Sequence, residues 1–351
     1  MISVREVCGA YMEFVAEIGM LAITVAKHMK KNLFLVKTVF VGMLTAVTFT
    51  SFTSCSNDDD IAYEPVSSTP TRKHVTDLSQ RVINFEGVDN ARDMGGLVMQ
   101  DGRTVCFDKL VRSGKLVKAT DADVAILQDQ YQLSDVFDFR FDLEISEAPD
   151  RVISGVIYTL VSTMPQKLID AQEKFGAGSG QLSTPGVVDT LLKYAFDPQV
   201  QKMVKQLYPA IVTDPQSQAN YGKFLHGVLA AKGGVLWHCS EGKDRCGLGS
   251  ALLLAALGAS RQVIVEDFDM SNQSYASQVE ALSAQVRNKK DGAAAVDFIQ
   301  AMVGVSTANF EAALDLIDQR YGSIEQYLVN QLGFSKEEQM QLRAKYLTQA
   351  K

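Results

Sequence analysis

The sequence is poor in cysteine, which limits how the chain can be stabilised. Five cysteines in 351 residues leave no dense disulfide framework of the kind that holds small secreted domains together. The chain also lacks an excess of basic residues, with 34 lysines and arginines against 41 aspartates and glutamates and a formal net charge of −7. Because general nucleic-acid binders carry a basic surface, we expect no nucleic-acid partner. A hydrophobic content of 46% indicates a globular chain.

A hydrophobic segment near the N-terminus precedes an acidic stretch. MKKNLFLVKTVFVGMLTAVTFTSFTSC (29–55) has two lysines, then an apolar run, then small residues that end at Cys55. This layout is typical of an export signal. It resembles a bacterial lipoprotein signal, which is cleaved before the cysteine and lipidated on its thiol, although Phe52 stands where leucine or valine is expected. The alternatives are an uncleaved membrane anchor and a signal that is cut elsewhere.

The sequence is predicted to divide into three parts. Residues 1–54 form an upstream extension and signal peptide with Met29 as the start, and 55–78 form a polar lipidated tether. Residues 79–351 form the folded domain. The predicted location is the cell envelope of a Gram-negative-type bacterium, periplasmic or surface-exposed, with the lipid as the only membrane contact.

The folded part alternates short apolar runs with helical patterns, which predicts one α/β domain with a mostly parallel sheet flanked by helices. Predicted strands lie at 134–141 and in GGVLWHC, before residue 240. Helices are predicted at 119–133, with Thr120 as the N-cap, and at 247–260, with Gly258 as the C-cap. Residues from about 145 to 220, with a Gly/Ser patch at 176–186, are predicted to form a helical insertion or lid. The remainder, to Lys351, is predicted to be amphipathic helix.

The stretch VLWHCSEGKDRCG (235–247) carries the strongest chemical signal. A strand that leads through a short loop into a helix directs loop amides and the helix N-terminus at one point, which favours an anion. Arg245 can hold two phosphate oxygens with its fork, and Lys243 adds a second charge. In such a field the Cys239 thiolate is favoured and becomes a nucleophile. These features together indicate a phosphatase.

HCSEGKDRCG resembles the HCxxGKDRTG loop of a bacterial family of tyrosine-phosphatase-like enzymes, protein-tyrosine phosphatase family 3, whose members act on phosphoproteins and in some cases phosphoinositides. Further segments are similar to the family's motifs: NARDMGG (90–96), VRSGKL (111–116), VFDFRFDLE (136–144), EDFDMSNQSY (266–275) and LDLIDQRYGSIEQYLVNQLGFSKEEQMQLRAKYL (314–347). The resemblance covers most of 84–347, but 145–220 matches poorly. It implies a cysteine-phosphatase-like fold.

The resemblance implies a role for each residue of the loop. Cys239 would form a phosphocysteine, and Arg245 would bind the phosphoryl oxygens and stabilise the transition state together with the loop amides. His238 would hydrogen-bond the loop and lower the thiol pKa. The phosphate-binding residues would be Ser240, Glu241, Gly242, Lys243, Asp244 and Arg245. Lysine at 243 is associated with multiply phosphorylated or lipid substrates.

A proton donor for the leaving oxygen is also required. Asp138, at the end of a predicted strand, is the first candidate for this general acid, and Asp244, inside the loop, is the second. Asp93 is predicted to be structural. Arg112 and Ser113 either shape the phosphate pocket or only hold the loop, and an ion pair between Asp138 and Arg140 beneath the loop is an equal alternative for those two residues.

One residue departs from the family pattern. Cys246 follows the arginine where the family has threonine or serine, whose hydroxyl would assist breakdown of the phosphoenzyme. Because a thiol is a weak hydrogen-bond donor, we expect slower breakdown of the intermediate. Under oxidising conditions Cys239 and Cys246 are also predicted to form a disulfide that inactivates the enzyme.

The predicted reaction is hydrolysis of phosphomonoesters through a phosphocysteine, without a metal or other cofactor. The predicted substrate is a phosphorylated protein, an inositol phosphate or a phosphoinositide. The alternatives are a phosphate-binding lipoprotein with no useful turnover, a sulfur transferase of the rhodanese type, a buried cysteine beside a helix cap, and a zinc site. The zinc site would use His238, Cys239 and Cys246, which lack the usual CxxC spacing.

Overall fold

A computed structural model describes residues 78–175, 187–289 and 292–349 of the chain. All described residues belong to one compact unit. None of the helices within the described ranges is long and apolar enough to cross a membrane. The predicted signal, the Cys55 lipidation site, the tether up to residue 77 and the Gly/Ser patch at 176–186 lie outside the described residues.

A five-stranded sheet forms the centre of the domain. In chain order the strands are β1 (Arg92–Asp93), β2 (Leu110–Ser113), β3 (Leu133–Asp138), β4 (Ile157–Leu160) and β5 (Gly234–His238). Their spatial order is β1-β2-β5-β3-β4, and every pair is parallel except β1 with β2. The predicted mostly parallel sheet is therefore confirmed. The strand predicted over 134–141 is shorter, because the chain leaves the sheet after Asp138.

The helices are α1 (Asp121–Ala125), α2 (Asp142–Glu147), α3 (Gln166–Phe175), α4 (Val187–Ala195), α5 (Pro198–Thr213), α6 (Pro215–Ala230), α7 (Asp244–Leu257), α8 (Arg261–Val286), α9 (Gly292–Val303), α10 (Thr307–Tyr321), α11 (Ile324–Asn330) and α12 (Lys336–Tyr346). Thr120 caps α1 through a capping box, as predicted, and α1 continues into a π-helical turn at Ile126–Gln130. Gly258, with φ 94°, ends α7 as predicted.

Alternate residues of the central strands point to opposite faces of the sheet, and each face is covered. Phe137 and Trp237 lie in the larger core, beneath α6 and α7. Val136 and Leu236 lie in a smaller core on the other face. Helix α7 is buried along almost its whole length. The β5–loop–α7 unit is therefore fixed in the middle of the domain, where it can hold a site rigidly.

The region 145–220 is less uniform than the predicted helical insertion. It contains the edge strand β4, and α5 contributes Tyr208 and Ile211 to the larger core. Helices α4, α8 and α9 build a separate apolar cluster that includes Leu191, Val286 and Ile299. The segments that contribute to this cluster form helices because their apolar residues recur every three or four positions.

Candidate active site

The loop from Cys239 to Lys243 lies at the carboxyl edge of the sheet, between β5 and α7. Ser113 of β2 and Asp138 of β3 are both in register with His238, so three strand ends surround the start of the loop. Gly242 has φ 67°, and a Cβ atom there would lie 2.3 Å from the Ser113 carbonyl oxygen. Only glycine fits this turn without a shift of the backbone. Ligands bind at this edge of open parallel sheets.

Cys239 lies at the base of the loop, with 2% of its surface exposed. Burial alone would raise the pKa of its thiol. The hydrogen bond from the Cys246 thiol, the charge of Arg245 and the Cys246 backbone N–H outweigh burial and lower the pKa of Cys239 from 9.0 to about 5. The residue is therefore a thiolate at neutral pH, which is the nucleophilic form.

Arg245 is held in the loop by a residue of α2. Its two terminal nitrogens donate to the two carboxylate oxygens of Glu144, at 2.6 and 2.8 Å. The Ser240 hydroxyl donates to the same carboxylate at 2.5 Å. Burial opposes the charge of Arg245, but Glu144 and the Cys239 thiolate raise the pKa of its guanidinium. The fork is thus charged and fixed in orientation before any anion binds.

The loop amides are available to an anion. Within the described residues, the backbone N–H groups of 240–245 have no hydrogen-bond acceptor in the protein. Two of them, those of Asp244 and Arg245, open α7, where the helix dipole favours negative charge. An anion with several oxygens that enters the loop would therefore meet these N–H groups and Arg245 together.

Asp244 begins α7 at the edge of the loop. It is partly exposed, whereas its neighbours Lys243 and Arg245 are buried. The Tyr208 hydroxyl donates to its carboxylate at 2.5 Å. This hydrogen bond fixes the orientation of a carboxyl group at the edge of the loop.

Lys243 points away from the loop. Its ammonium donates to the carbonyl oxygens of Met302 (2.5 Å), Val303 (2.9 Å) and Gly304 (3.1 Å). These are the last carbonyls of α9, which attract a cation. In this structure the lysine side chain therefore caps a helix and does not supply the second phosphate-binding charge that we predicted; only its backbone N–H faces the loop.

Arg112 holds the loop from behind and is fully buried. It donates to the carbonyl oxygens of Gly242 (2.8 Å) and Lys243 (3.1 Å), and to the Asp267 carboxylate at 2.7 Å. Of the two roles considered for Arg112, the structure thus shows it fastening the loop. The Ser113 carbonyl oxygen lies 3.8 Å from the Cys246 sulfur.

Asp267 of α8 forms ion pairs with three arginines. Arg81 and Arg92 also contact its carboxylate, at 2.5 and 3.2 Å. Burial alone would raise the pKa of Asp267, but the three guanidinium groups hold this pKa far below its usual range. The Arg92 pKa falls to about 9, because of burial and the neighbouring Arg112. One carboxylate thus anchors a buried cationic cluster behind the loop.

Asp138 and His238 belong to a network beneath the loop. Arg140 donates to both oxygens of Asp138, at 2.7 to 3.0 Å, and to Asp150 at 2.5 Å. His238 Nε2 lies 3.2 Å from Asp150, and Nδ1 lies 3.3 Å from the Cys239 carbonyl oxygen. Burial opposes protonation, but Asp138 and Asp150 raise the pKa of His238. The Asp138–Arg140 ion pair considered as an alternative is present.

The same three residues could be considered as metal ligands, since the ligand atoms of Asp138, Asp150 and His238 lie within 4.8 Å of one another. Arg140 already supplies a positive charge to both carboxylates. The group is therefore better described as an ion-pair network. Because the His238 ring faces the two carboxylates, it is also directed away from the zinc site considered with Cys239 and Cys246.

Cys246 places a thiol at the position where the family pattern has the hydroxyl of threonine or serine. It is fully buried, and burial together with the adjacent Cys239 raises its pKa well above 9.0. It therefore stays protonated and donates to the Cys239 thiolate. Both residues are free thiols in the structure, as is Cys106, so the disulfide between Cys239 and Cys246 stays a prediction.

Several residues of the site were missed by the sequence interpretation. Glu144 fixes Arg245, Asp267 anchors Arg112, and Asp150 lies beside His238. Glu144 and Asp267 stand inside the motifs VFDFRFDLE and EDFDMSNQSY, which carry the family resemblance. An acidic residue in each motif was the available signal, because a buried arginine requires a carboxylate. Asp93 accepts from the Gly95 and Asp108 amides and is structural, as predicted.

A strand–loop–helix unit with a buried thiolate, a fixed arginine and unpaired amides defines a cysteine-dependent phosphatase. Comparisons with known proteins agree with this class of enzyme. The model of the tyrosine phosphatase family matches residues 83–348. The chain therefore belongs to the tyrosine phosphatase family, and the predicted membership is confirmed.

Two curated relatives share this assignment. A Cupriavidus necator protein named as a tyrosine-protein phosphatase is 28% identical over 268 residues, which are 75% of this chain and 87% of the relative. The triple specificity protein phosphatase PtpB of Mycobacterium tuberculosis is 30% identical over 246 residues, which are 63% of this chain and 84% of the relative. Among solved structures, TpbA of P. aeruginosa aligns over 61% of this chain and 90% of its own, with 14% identity and a TM-score of 0.23. A TM-score this low supports no further conclusion.

Proposed function

We propose that the protein removes phosphate from phosphotyrosine in proteins, in two steps on Cys239. The observation that carries this proposal is the pairing of a thiolate, whose pKa is about 5, with an arginine that Glu144 already holds in place. The names of the two relatives support a protein substrate. The depth of Cys239 in the loop favours an aryl phosphate, because a phosphotyrosine ring extends farther from the backbone than a phosphoserine side chain.

In the first step, the Cys239 sulfur attacks phosphorus while the bond from phosphorus to the tyrosine oxygen breaks. Arg245 and the amides of 240–245 hold the equatorial oxygens, where charge accumulates. The leaving oxygen takes a proton from Asp244. The same carboxylate then removes a proton from water, and the water oxygen displaces the Cys239 sulfur and releases phosphate.

Asp244 is assigned as the general acid in preference to Asp138. Asp138 is buried, and Arg140 engages both of its oxygens. Both oxygens of Asp138 are therefore already occupied as hydrogen-bond acceptors beneath the loop. Asp244 is partly exposed at the edge of the loop and is oriented by Tyr208.

The proposal is tested with the purified full chain and a phosphotyrosine peptide under reducing conditions. Release of phosphate that Cys239→Ser abolishes is the expected result. Trapping of ³²P on Cys239 after acid quench would identify the intermediate. Equal release from the Cys239→Ser variant would contradict the proposal, and so would failure of the wild-type chain to release phosphate while it still binds the peptide. The second result would favour the phosphate-binding alternative.

We also propose that the protein is exported and attached to the membrane through a lipid on Cys55. The support is the order of lysines, apolar run, small residues and cysteine in 29–55. Metabolic labelling with an alkyne fatty acid should mark the wild-type chain and spare Cys55→Ser. Labelling of both chains, or of neither, would contradict the lipid anchor.

A further inference from the structure

Glu241 places a carboxylate at the rim of the catalytic loop, two positions after the nucleophile. Its side chain is 28% exposed, and that of Lys115, from the segment after β2, is 31% exposed. The Lys115 ammonium lies 3.6 Å from Glu241 Oε1. Both groups are thus partly exposed beside the loop that would hold the scissile phosphate.

Two contacts fix Glu241 in this position. The Tyr275 hydroxyl lies 2.7 Å from the Glu241 carbonyl oxygen and 3.2 Å from Oε2. The Asn90 side-chain amide donates to the same carbonyl oxygen at 3.1 Å. Burial raises the pKa of Glu241, and the charges of Lys115 and Lys243 act against this rise. Because the backbone and the carboxyl group are both held, the group stays at the rim when a substrate enters.

The cations that contact the loop in the described residues are already engaged. Arg245 is bound by Glu144, and Arg112 is fully buried against Asp267 and the loop carbonyls. Lys243 caps α9 through three carbonyl oxygens. Lys115 remains as the partly exposed cation at this rim, and Glu241 is its partner.

We infer that Glu241 is a specificity-determining residue, which selects phosphomonoesters with a single phosphate and disfavours substrates with a second phosphate beside the scissile one. This inference rests on the proposed function, since it concerns which phosphoesters the same loop accepts. A second phosphate would approach the fixed Glu241 carboxylate and a lysine whose charge that carboxylate already balances. Like charges brought together in this way weaken binding strongly. Phosphotyrosine, which carries one phosphate on a neutral ring, avoids this repulsion.

The test compares kcat/KM for inositol 1,4,5-trisphosphate with kcat/KM for p-nitrophenyl phosphate. Glu241→Gln keeps an acceptor for Tyr275 but removes the negative charge and frees Lys115. We expect the ratio of the two values to rise about tenfold. Adding Lys115→Gln to that variant should reverse most of the rise. Glu86→Gln removes one charge from an exposed position outside the loop and should leave the ratio within about twofold of the wild-type value.

An unchanged or lower ratio in Glu241→Gln would overturn the inference, and so would an equal rise in Glu86→Gln. If the wild-type chain hydrolyses neither compound, the proposed function fails, but the specificity is still measurable. In that case the affinities of the Cys239→Ser protein for inositol 1,4,5-trisphosphate and phenyl phosphate are compared by calorimetry, with and without Glu241→Gln. The same tenfold change in the ratio of dissociation constants is expected, and its absence would overturn the inference.

Discussion

Glu144 and Arg245 form a two-pronged ion pair: the two terminal nitrogens of the guanidinium lie 2.6 and 2.8 Å from the two carboxylate oxygens. The pair joins the short helix after β3 to α7, the helix that follows the catalytic loop. Both side chains are about nine-tenths buried, so solvent does not screen them strongly. Glu144 thereby leaves the opposite side of the guanidinium to face the loop.

Glu144→Gln should lower kcat/KM for p-nitrophenyl phosphate by at least about tenfold, because the amide has no negative charge and replaces one of the two acceptor oxygens with an NH2 donor. Steady-state kinetics at pH 6 would measure the change. Glu147→Gln, at an exposed position of the same helix, is the matched control and should behave as wild type. Wild-type kinetics in Glu144→Gln would show that Arg245 needs no external support.

Alkylation of Cys239 by iodoacetamide should follow an apparent pKa of about 5. Iodoacetamide reacts with the thiolate, so the alkylation rate rises with pH. Above pH 5 the thiolate dominates and alkylation is fast. As the pH falls through 5, the thiolate is protonated and alkylation slows. Peptide mass mapping separates Cys239 from Cys106, where burial raises the thiol pKa above 9.0. Cys106 is the internal control and should react only at alkaline pH. Alkylation of Cys239 that begins only above pH 8 would refute the activated thiolate.

Cys246→Thr should shorten the lifetime of the phosphoenzyme and raise kcat several-fold, because a hydroxyl is a stronger hydrogen-bond donor than a thiol. Rapid-quench kinetics would measure the intermediate directly. Cys246→Ala is the complementary variant: it removes the donor, and the pKa of Cys239 should rise. An unchanged phosphoenzyme lifetime in Cys246→Thr would mean that residue 246 has no part in the second step.

Asp244→Asn should slow the hydrolysis of phenyl phosphate far more than that of p-nitrophenyl phosphate. Phenolate needs a proton to leave, whereas p-nitrophenolate leaves readily without one. The ratio of the two kcat values at pH 6 tests this assignment. Asp142→Asn, at an exposed position near the loop, should leave the ratio unchanged. Equal slowing of both substrates would point to a different general acid.

Asp267→Asn should destabilise the domain by about 3–5 kcal/mol, because it leaves three buried arginines without their carboxylate. Urea unfolding at pH 7 would measure the loss, with the exposed Glu266→Gln as control. Asp267 has a pKa well below its unfolded value. Its contribution is therefore fully present above about pH 4 and declines as the pH falls toward the folded pKa. The difference between wild type and variant should shrink below pH 4, and equal stability at pH 7 would contradict the anchoring role.

Local patterns predicted much of the fold. Strand β5, the loop and α7 followed from an apolar run, a charged turn and a second apolar run, and Gly258 followed from the position of glycine after that helix. Such signals depend on neighbours within a few residues. The predicted boundaries failed where the chain changed its conformation without a break in hydrophobicity, as it does after Asp138 and in the π-helical turn that follows Ala125.

The partners of the charged residues were much harder to predict. The loop sequence predicted a phosphate-binding role for Lys243, but the structure directs its ammonium to carbonyls 59 to 61 residues later in the chain. Arg112 reaches Asp267 across 155 residues. Contacts at such separations depend on how α8 and α9 pack, and no local spacing encodes that packing.

The hydrogen bonds from Lys243 to the end of α9 tie the catalytic loop to a part of the chain that is synthesised later. The loop is held by Asn90 and Arg112, which are synthesised before it, and by Gly304, which is synthesised after it. A nascent chain that ends soon after the helix following the nucleophile lacks the last of these supports. Since non-local contacts close slowly, the loop gains its full set of supports only after the chain as far as Gly304 has been synthesised and packed.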